Sequence, residues 1–319
     1  MLRDTVKRVR SEGRCFLYRA SAKRMRTFVA FVRLSRLTFL AGGVLGFAFG
    51  AAIAAFEGFD LSFQTYLAAQ CLVTSFHLMV HYANDYFDRA SDARTIRTEF
   101  SGGSGALVDG SLAPRVAIVA AAVCAALGTL ATLGFALAGN LTLAGLGVAI
   151  GVLAWVYSAP PFRLLARGLG ELDTALVVGV LVPLAGYAAF AHRLDVRAIA
   201  AAAASGGAMF AMMLAVEWPD RAADAATGKR NLVVRLGAHG TQRALRVAVG
   251  FAVCAGAGWG LLGALPSALL GVGLALPGIG LIRAFERAQS PAGEIAARGV
   301  VFFVVTLLFG LFAFVASRL

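Results

Sequence analysis

The chain has 319 residues, 59% of them hydrophobic and only 14% charged, with a formal net charge of +12. About a quarter of a soluble domain is charged, and such a domain cannot hide this much apolar surface, so composition excludes an ordinary water-soluble fold. The positive charge does not point to nucleic acid either, because the basic residues collect between apolar runs, the pattern that orients a membrane protein.

The first 36 residues carry 11 Lys/Arg and no compact apolar core ending in small residues, so a removable signal peptide is not expected. Lys23–Arg36 mixes basic and apolar residues in helical fashion, which predicts an amphipathic helix along the cytoplasmic interface. From Leu37 onward, apolar runs recur that are long enough to cross a hydrocarbon core of roughly 30 Å. Nine spans are predicted: Leu37–Phe56, Phe63–Tyr82, Val116–Ala138, Leu141–Tyr157, Thr174–Ala191, Ala198–Val216, Val247–Leu265, Ser267–Ile282 and Gly299–Ala316. The fourth and eighth are short, and Pro277 interrupts the eighth. Polar–apolar alternation is absent, so strands are not expected. The expected fold class is therefore all-α, a polytopic membrane bundle of about nine helices. Residues 1–36 would form a basic interfacial segment and 37–319 a single transmembrane domain. Gly46, Gly50, Gly206 and Gly207 lie within spans, where small residues permit close helix packing. Cys15, Cys71, Cys124 and Cys254 stand alone and read as small hydrophobes.

Of the 29 Lys/Arg, 26 fall in the N-terminal segment or in loops after even-numbered spans; the exceptions are Arg193, Arg197 and Arg318. The positive-inside rule then places the N-terminus and every even loop in the cytoplasm of a bacterial-type plasma membrane. Two of those loops repeat a pattern. Span two is followed by Asn84-Asp85-Tyr86-Phe87-Asp88-Arg89-Ala90-Ser91-Asp92, and span six by Glu217-Trp218-Pro219-Asp220-Arg221-Ala222-Ala223-Asp224. Each holds three carboxylates spaced three and then four residues apart, which would lie on one face of a helix. The two segments are four spans apart and so emerge on the same side, whichever side that is.

Three like charges on one helix face repel one another. Arg89, Arg94 and Arg221 could pair with them as a solvated juxtamembrane face, but two matched clusters in a chain with 17 acidic residues favour a binding function. Dense carboxylate oxygens suit Mg2+, which takes a few carboxylates and completes its octahedron with waters and substrate phosphate oxygens. Two such sites facing each other would clamp a diphosphate and stabilise it as a leaving group. With the clamp at the membrane interface, the bilayer is left for a hydrophobic tail.

These residues resemble the UbiA-type intramembrane prenyltransferase superfamily. The first cluster is similar to its NDxxDxxxD motif. The second is similar to its DxxxD motif and is followed by Gly228-Lys229-Arg230-Asn231-Leu232 and Arg235-Leu236-Gly237, with Glu217 standing where many members have Asp. The resemblance covers all nine spans. It implies that Asp85, Asp88, Asp92, Asp220 and Asp224 hold Mg2+ and a polyprenyl diphosphate, with Asn84 and Glu217 completing the metal set. It also implies that Lys229, with Arg94 or Arg97, binds diphosphate oxygens as charge-assisted donors. An electron-rich aromatic acceptor would attack the allylic carbon in a pocket closed to water.

The third cytoplasmic loop, Tyr157-Ser158-Ala159-Pro160-Pro161-Phe162-Arg163, reads either as a Pro-stiffened connector or as a wall of the cavity. In the second case Tyr157 faces the acceptor and Arg163 the diphosphate. His77 and His81 share a face of span two; no HExxH pattern is present, and packing or a hydrogen bond from His81 to the acceptor is expected rather than zinc. Arg97-Thr98-Glu99-Phe100-Ser101-Gly102-Gly103-Ser104-Gly105, with Tyr-Ser-x-Pro-Pro and Arg167-Gly168-Leu169-Gly170-Glu171, is similar to the naphthoate prenyltransferases of menaquinone synthesis. That resemblance implies 1,4-dihydroxy-2-naphthoate as acceptor, with 4-hydroxybenzoate as the alternative. A secondary transporter is the rival from another class, but its acids would lie near the midplane in broken helices rather than at cytoplasmic ends.

Overall fold

The computed structural model describes residues 24–94, 103–226, 228–264, 267–287 and 292–316, and among them every regular element is helical. In chain order these are α1 (24–34), α2 (Leu37–Phe56), α3 (Phe63–Asp92), α4 (Pro114–Leu137), α5 (Leu141–Val156) and α6 (Gly170–Leu176). There follow α7 (Val182–Ala191), α8 (Val196–Glu217), α9 (Arg221–Ala226), α10 (Leu232–Trp259), α11 (Ser267–Glu286) and α12 (Ala292–Ala316). Val177–Leu181 forms a wide turn that joins α6 to α7 without a break. Arg97 and the rest of 95–102 lie outside the described residues, as does 1–23.

Six stretches are long and apolar enough to cross a membrane: Leu37–Phe56, Pro114–Leu137, Gly170–Ala191, Val196–Asp220, Leu232–Leu262 and Gly293–Phe312. Each contains most of one expected span. The second, fourth and eighth spans also fall on helices, but α5 has 16 residues and α3 is diluted by Gln64, Gln70, Thr74, His77 and His81. The protein is a multi-pass integral membrane protein. Its outward surfaces agree with that: α4 exposes Val119, Val123, Leu127, Leu130, Leu133 and Leu137, and buries Ala117, Ala121, Gly128 and Thr132. Water would make such a surface a large unpaired apolar patch, whereas lipid solvates it.

Two boundaries differ from the sequence expectation, for physical reasons. The apolar run of span two ends at Tyr82, yet α3 continues to Asp92. Its 30 residues are about 45 Å long, so its last turns project past the hydrocarbon. Span seven was expected from Val247, but α10 starts at Leu232, where Asn231 Oδ1 accepts the Val234 N–H at 3.0 Å as a side-chain cap.

Side-chain caps start other helices in the same way. Ser62 caps α3, Asp195 caps α8, and Asn140 caps α5 while donating to Ala188 O at 2.9 Å. The helices carrying the acidic segments each pack on the next long helix, α3 on α4 and α8 on α10, and α2 packs along α7. At that last contact a Cβ on Gly50 would collide with Pro183 O, and one on Gly186 with Phe47 O. Backbones meet there without intervening side chains, which is the use small residues have inside membranes.

Candidate active site

The end of α3 carries the first trio. Asp85 is buried, and its carboxylate accepts the Ser104 N–H (Oδ2, 3.0 Å) and the Ser104 hydroxyl. This fastens the glycine-rich loop against the helix. Gly103, at φ +65°, lies where any Cβ would strike Asp92 Oδ2, with Asp85 Oδ1 close by, so only glycine lets the loop approach both carboxylates. Asp88 lies one turn further along. Asn84 Nδ2 donates to Asp88 Oδ2 at 2.9 Å and to Ser158 Oγ at 3.0 Å, joining α3 to the third loop. From that loop the Arg163 guanidinium comes within 3.5 Å of Asp88 Oδ1.

The second trio keeps its spacing but not a continuous helix. Glu217 is the last residue of α8, Trp218–Asp220 form a tight turn around Pro219, and Asp224 lies on the short α9. Proline cannot donate a backbone hydrogen bond, and it disfavours helix in the residue before it, which accounts for the break. Glu217 and Asp224 are buried, Asp220 half-buried. Asn231 Nδ2 donates to Asp224 Oδ2 at 2.8 Å, and Lys229 Nζ is 3.7 Å from the same oxygen.

Lys229 brings the two trios together. Burial pulls its ammonium down, but Asp224, Glu217, Asp88 and Asp92 outweigh burial and hold its pKa above the ordinary lysine value. Burial pushes the Asp88 carboxyl up, against Lys229, Arg163 and the Asn84 hydrogen bond. Asp92 is pushed up to about 7, by burial first and then by Asp88 and Asp85. Asp224 is also raised by burial, with Lys229 opposing. The cleft therefore holds more negative charge than its cations balance.

Other expected residues are placed as follows. Tyr157 lies beside Glu171 and Glu217, with its ring edge against Gly170. His81 directs Nδ1 to Ser35 O at 3.0 Å and stacks edge-on with His77, so it ties α3 to the turn between α1 and α2. Arg94 is exposed on the turn after α3, and among the described residues no ion pair draws it into the cleft. Sequence reasoning missed Ser104, Ser158, Asn231 and Glu171 as side chains of the site. All four fall inside stretches it had singled out, but a motif does not say which of its members hold the others.

Among the described residues, no three carboxylates, imidazoles or thiols stand close enough to bind one metal ion. The donors nonetheless fit a hard divalent cation. They are all oxygens, and the raised Asp92 and Asp88 carboxyls report negative charge left uncompensated by Lys229 and Arg163.

A multi-pass helical bundle with two acidic helix ends facing one lysine is the architecture of an intramembrane prenyltransferase. Residues 43–307 match the UbiA prenyltransferase family, and the chain belongs to it. Over 174 residues it is 32% identical to a 1,4-dihydroxy-2-naphthoate octaprenyltransferase of Mycobacterium tuberculosis, an alignment covering 54% of this chain and 58% of that protein. The chain thus spans little more than half the length of that relative. Among solved structures, a UbiA homologue from Archaeoglobus fulgidus bound to GPP and Mg2+ superposes with a TM-score of 0.67 at 17% identity, covering 90% of this chain and 99% of that one. A homologue from Aeropyrum pernix K1 gives 0.65 at 16% identity, covering 88% and 99%. At these identities the likeness establishes the fold.

Proposed function

We propose that this protein transfers a polyprenyl group from polyprenyl diphosphate to 1,4-dihydroxy-2-naphthoate, at the cytoplasmic ends of α3 and α8. Residues 37–319 would form the catalytic domain, with nine helices crossing the membrane, and 1–36 an interfacial segment. The observation that carries the reading is Lys229, placed where both acidic trios act on its charge. Clusters of carboxylates held around one cation suit a multiply charged anion with its metal ions, and the apolar bundle suits that anion's tail.

Asp85, Asp88, Asp92, Asp220 and Asp224, with Asn84, would hold Mg2+. When bound, the metal supplies charge neutralisation for the diphosphate leaving group. Lys229 and Arg163 donate charge-assisted hydrogen bonds to diphosphate oxygens. The C1–O bond of the donor breaks, its electron pair leaving with diphosphate. The ring carbon bearing the acceptor's carboxylate bonds to C1. The bond to that carboxylate then breaks as CO2 departs, and its electron pair restores the aromatic ring. Asp85 and Ser104 fasten the glycine-rich loop over the cleft, which keeps water from the allylic carbon.

The Mycobacterium relative's name and the glycine-rich stretch support the naphthoate acceptor. The test is purified protein with polyprenyl diphosphate, Mg2+ and either 1,4-dihydroxy-2-naphthoate or 4-hydroxybenzoate, followed by product mass and CO2. Prenylated naphthol with CO2 release is expected. Prenylated 4-hydroxybenzoate retaining its carboxylate, with no naphthoate product, would refute the acceptor and leave the transferase standing. A protein releasing no diphosphate with any acceptor would refute the transferase reading and reopen transport.

A further inference from the structure

Beside the acidic trios lies a second polar cluster that the diphosphate clamp leaves unused. Glu171, in the first turn of α6, is fully buried, and Glu217, the last residue of α8, is nine-tenths buried. Their carboxyl groups lie against one another. Glu171 Oε1 accepts the Leu232 N–H at the start of α10, which holds the side chain in place from 61 residues away. Oε2 of Glu171 and Oε2 of Glu217 are both buried without a hydrogen-bond partner. Asp173, one helical turn along, also leaves Oδ1 buried and unpartnered. Tyr157 completes the cluster, its hydroxyl hydrogen-bonded to Thr174.

Buried polar oxygens nearly always have partners, so two adjacent orphans on rigid helix ends ask for a ligand. A carboxyl oxygen left open calls for a donor. That excludes the oxygens of a diphosphate, which only accept. A metal ion would need further ligands, and among the described residues no group of three suitable side chains converges. A hydroxyl group satisfies both conditions. Its place follows from Lys229, whose charge acts on Glu217 as well as on Asp88, Asp92 and Asp224, so the cluster adjoins the clamp.

We propose that Glu171 and Glu217 form the acceptor subsite, receiving the phenolic hydroxyl groups of a hydroxyaromatic ring and orienting its nucleophilic carbon toward the allylic C1. This rests on the prenyl-transfer reading and deepens it. Tyr157 borders the ring, and Leu232 N fixes the carboxyl that points to it.

The test is steady-state kinetics of the full chain and its Glu171→Gln and Glu217→Gln variants. The acceptors are dihydroxynaphthoate and the same compound with either hydroxyl methylated. Glutamine keeps an oxygen for Leu232 N–H but turns an N–H toward the acceptor's hydroxyl. The expected result is an acceptor KM raised at least tenfold in each variant, with the KM for polyprenyl diphosphate within about twofold of wild type. Wild type should discriminate against a methyl ether, and the variants should lose that discrimination. Where one variant does not elute as a folded protein, the other carries the test.

An unchanged acceptor KM in wild-type-like protein would overturn the proposal. So would a donor KM rising in step with the acceptor's, because the pair would then belong to the diphosphate clamp. A wild-type protein that prenylates no hydroxyaromatic compound would overturn the functional reading itself, a result visible before any variant is made.

Discussion

Replacing Lys229 with Gln removes the cation shared by Asp88, Asp92, Asp224 and Glu217. At the 3.7 Å separation of Nζ and Asp224 Oδ2, a unit charge pair interacts by about 4 kcal/mol at an effective dielectric near 20. Breaking a buried pair from one side costs about 3–5 kcal/mol. The Lys229 side chain is 26% exposed, which sets the cost toward the low end, about 3 kcal/mol. A proton can limit it further, since Asp92 already titrates at about 7 and can neutralise itself when the lysine is gone. The deficit should therefore be largest at pH 8 in chelator, and smaller at pH 6, where Asp92 is protonated. Mg2+ brings its own positive charge to the same carboxylates and should restore most of the loss. The assay is thermal unfolding in detergent of Lys229→Gln and wild type, with EDTA or Mg2+, at both pH values. A deficit equal in EDTA and Mg2+ would refute the shared-carboxylate argument, and no deficit in EDTA at pH 8 would refute the premise that Lys229 holds the cleft together.

Asp88→Asn and Asp220→Asn should each lower turnover by about a thousandfold, in line with several kcal/mol of lost charge stabilisation, while the variants stay folded by circular dichroism; chelator should abolish wild-type activity and Mg2+ restore it. The raised Asp92 carboxyl favours the metal-free fold while protonated, and that contribution is lost as pH rises through about 7. Mg2+ should consequently stabilise the protein more at pH 8 than at pH 6, with apparent affinity falling about tenfold between them, as read by thermal shift against Mg2+ concentration. Cysteines introduced by Ser91→Cys, Ala225→Cys and Arg287→Cys, in a background without native cysteines, should be labelled only from the cytoplasm, and one introduced by Asp195→Cys only from outside.

How far the sequence could be read depended on whether a feature is local. Asp85, Asp88 and Asp92 follow a spacing of three and four, and α3 carries them on one continuous helix. The length of α3 was hidden because hydropathy measures the thickness of the hydrocarbon, and the polar turns beyond Tyr82 cost a helix nothing in water. The second trio has the same spacing, but Pro219 divides it, leaving Glu217 buried on α8 and sending Asp220 and Asp224 to a separate turn. Spacing alone therefore overstated the likeness of the two clusters. Glu171 and Asn231 were illegible for another reason. Glu171 is held by a backbone N–H 61 residues away, and Asn231 serves at once as the cap of α10 and the donor to Asp224. No periodicity records a partner that only the tertiary fold supplies.

The opposite side of the bundle bears on transport. An alternating-access carrier needs a polar route to both faces. The odd loops do contain one buried polar group, Glu57 at the end of α2, which hydropathy reading passed over. Tyr187 donates its hydroxyl to Glu57 Oε2 at 2.6 Å from the middle of α7, and the Arg193 guanidinium lies over the Phe59 ring. These contacts join α2 to α7 along the same seam where Gly50 and Gly186 bring the two backbones together. Opening that seam would separate the closest-packed helices of the protein and strip a buried carboxylate of its donor. The polar group on this side serves as a tie, and the cleft has one mouth, at the ends of α3 and α8, where a lipid-tailed diphosphate can enter head-first and leave its tail among the helices.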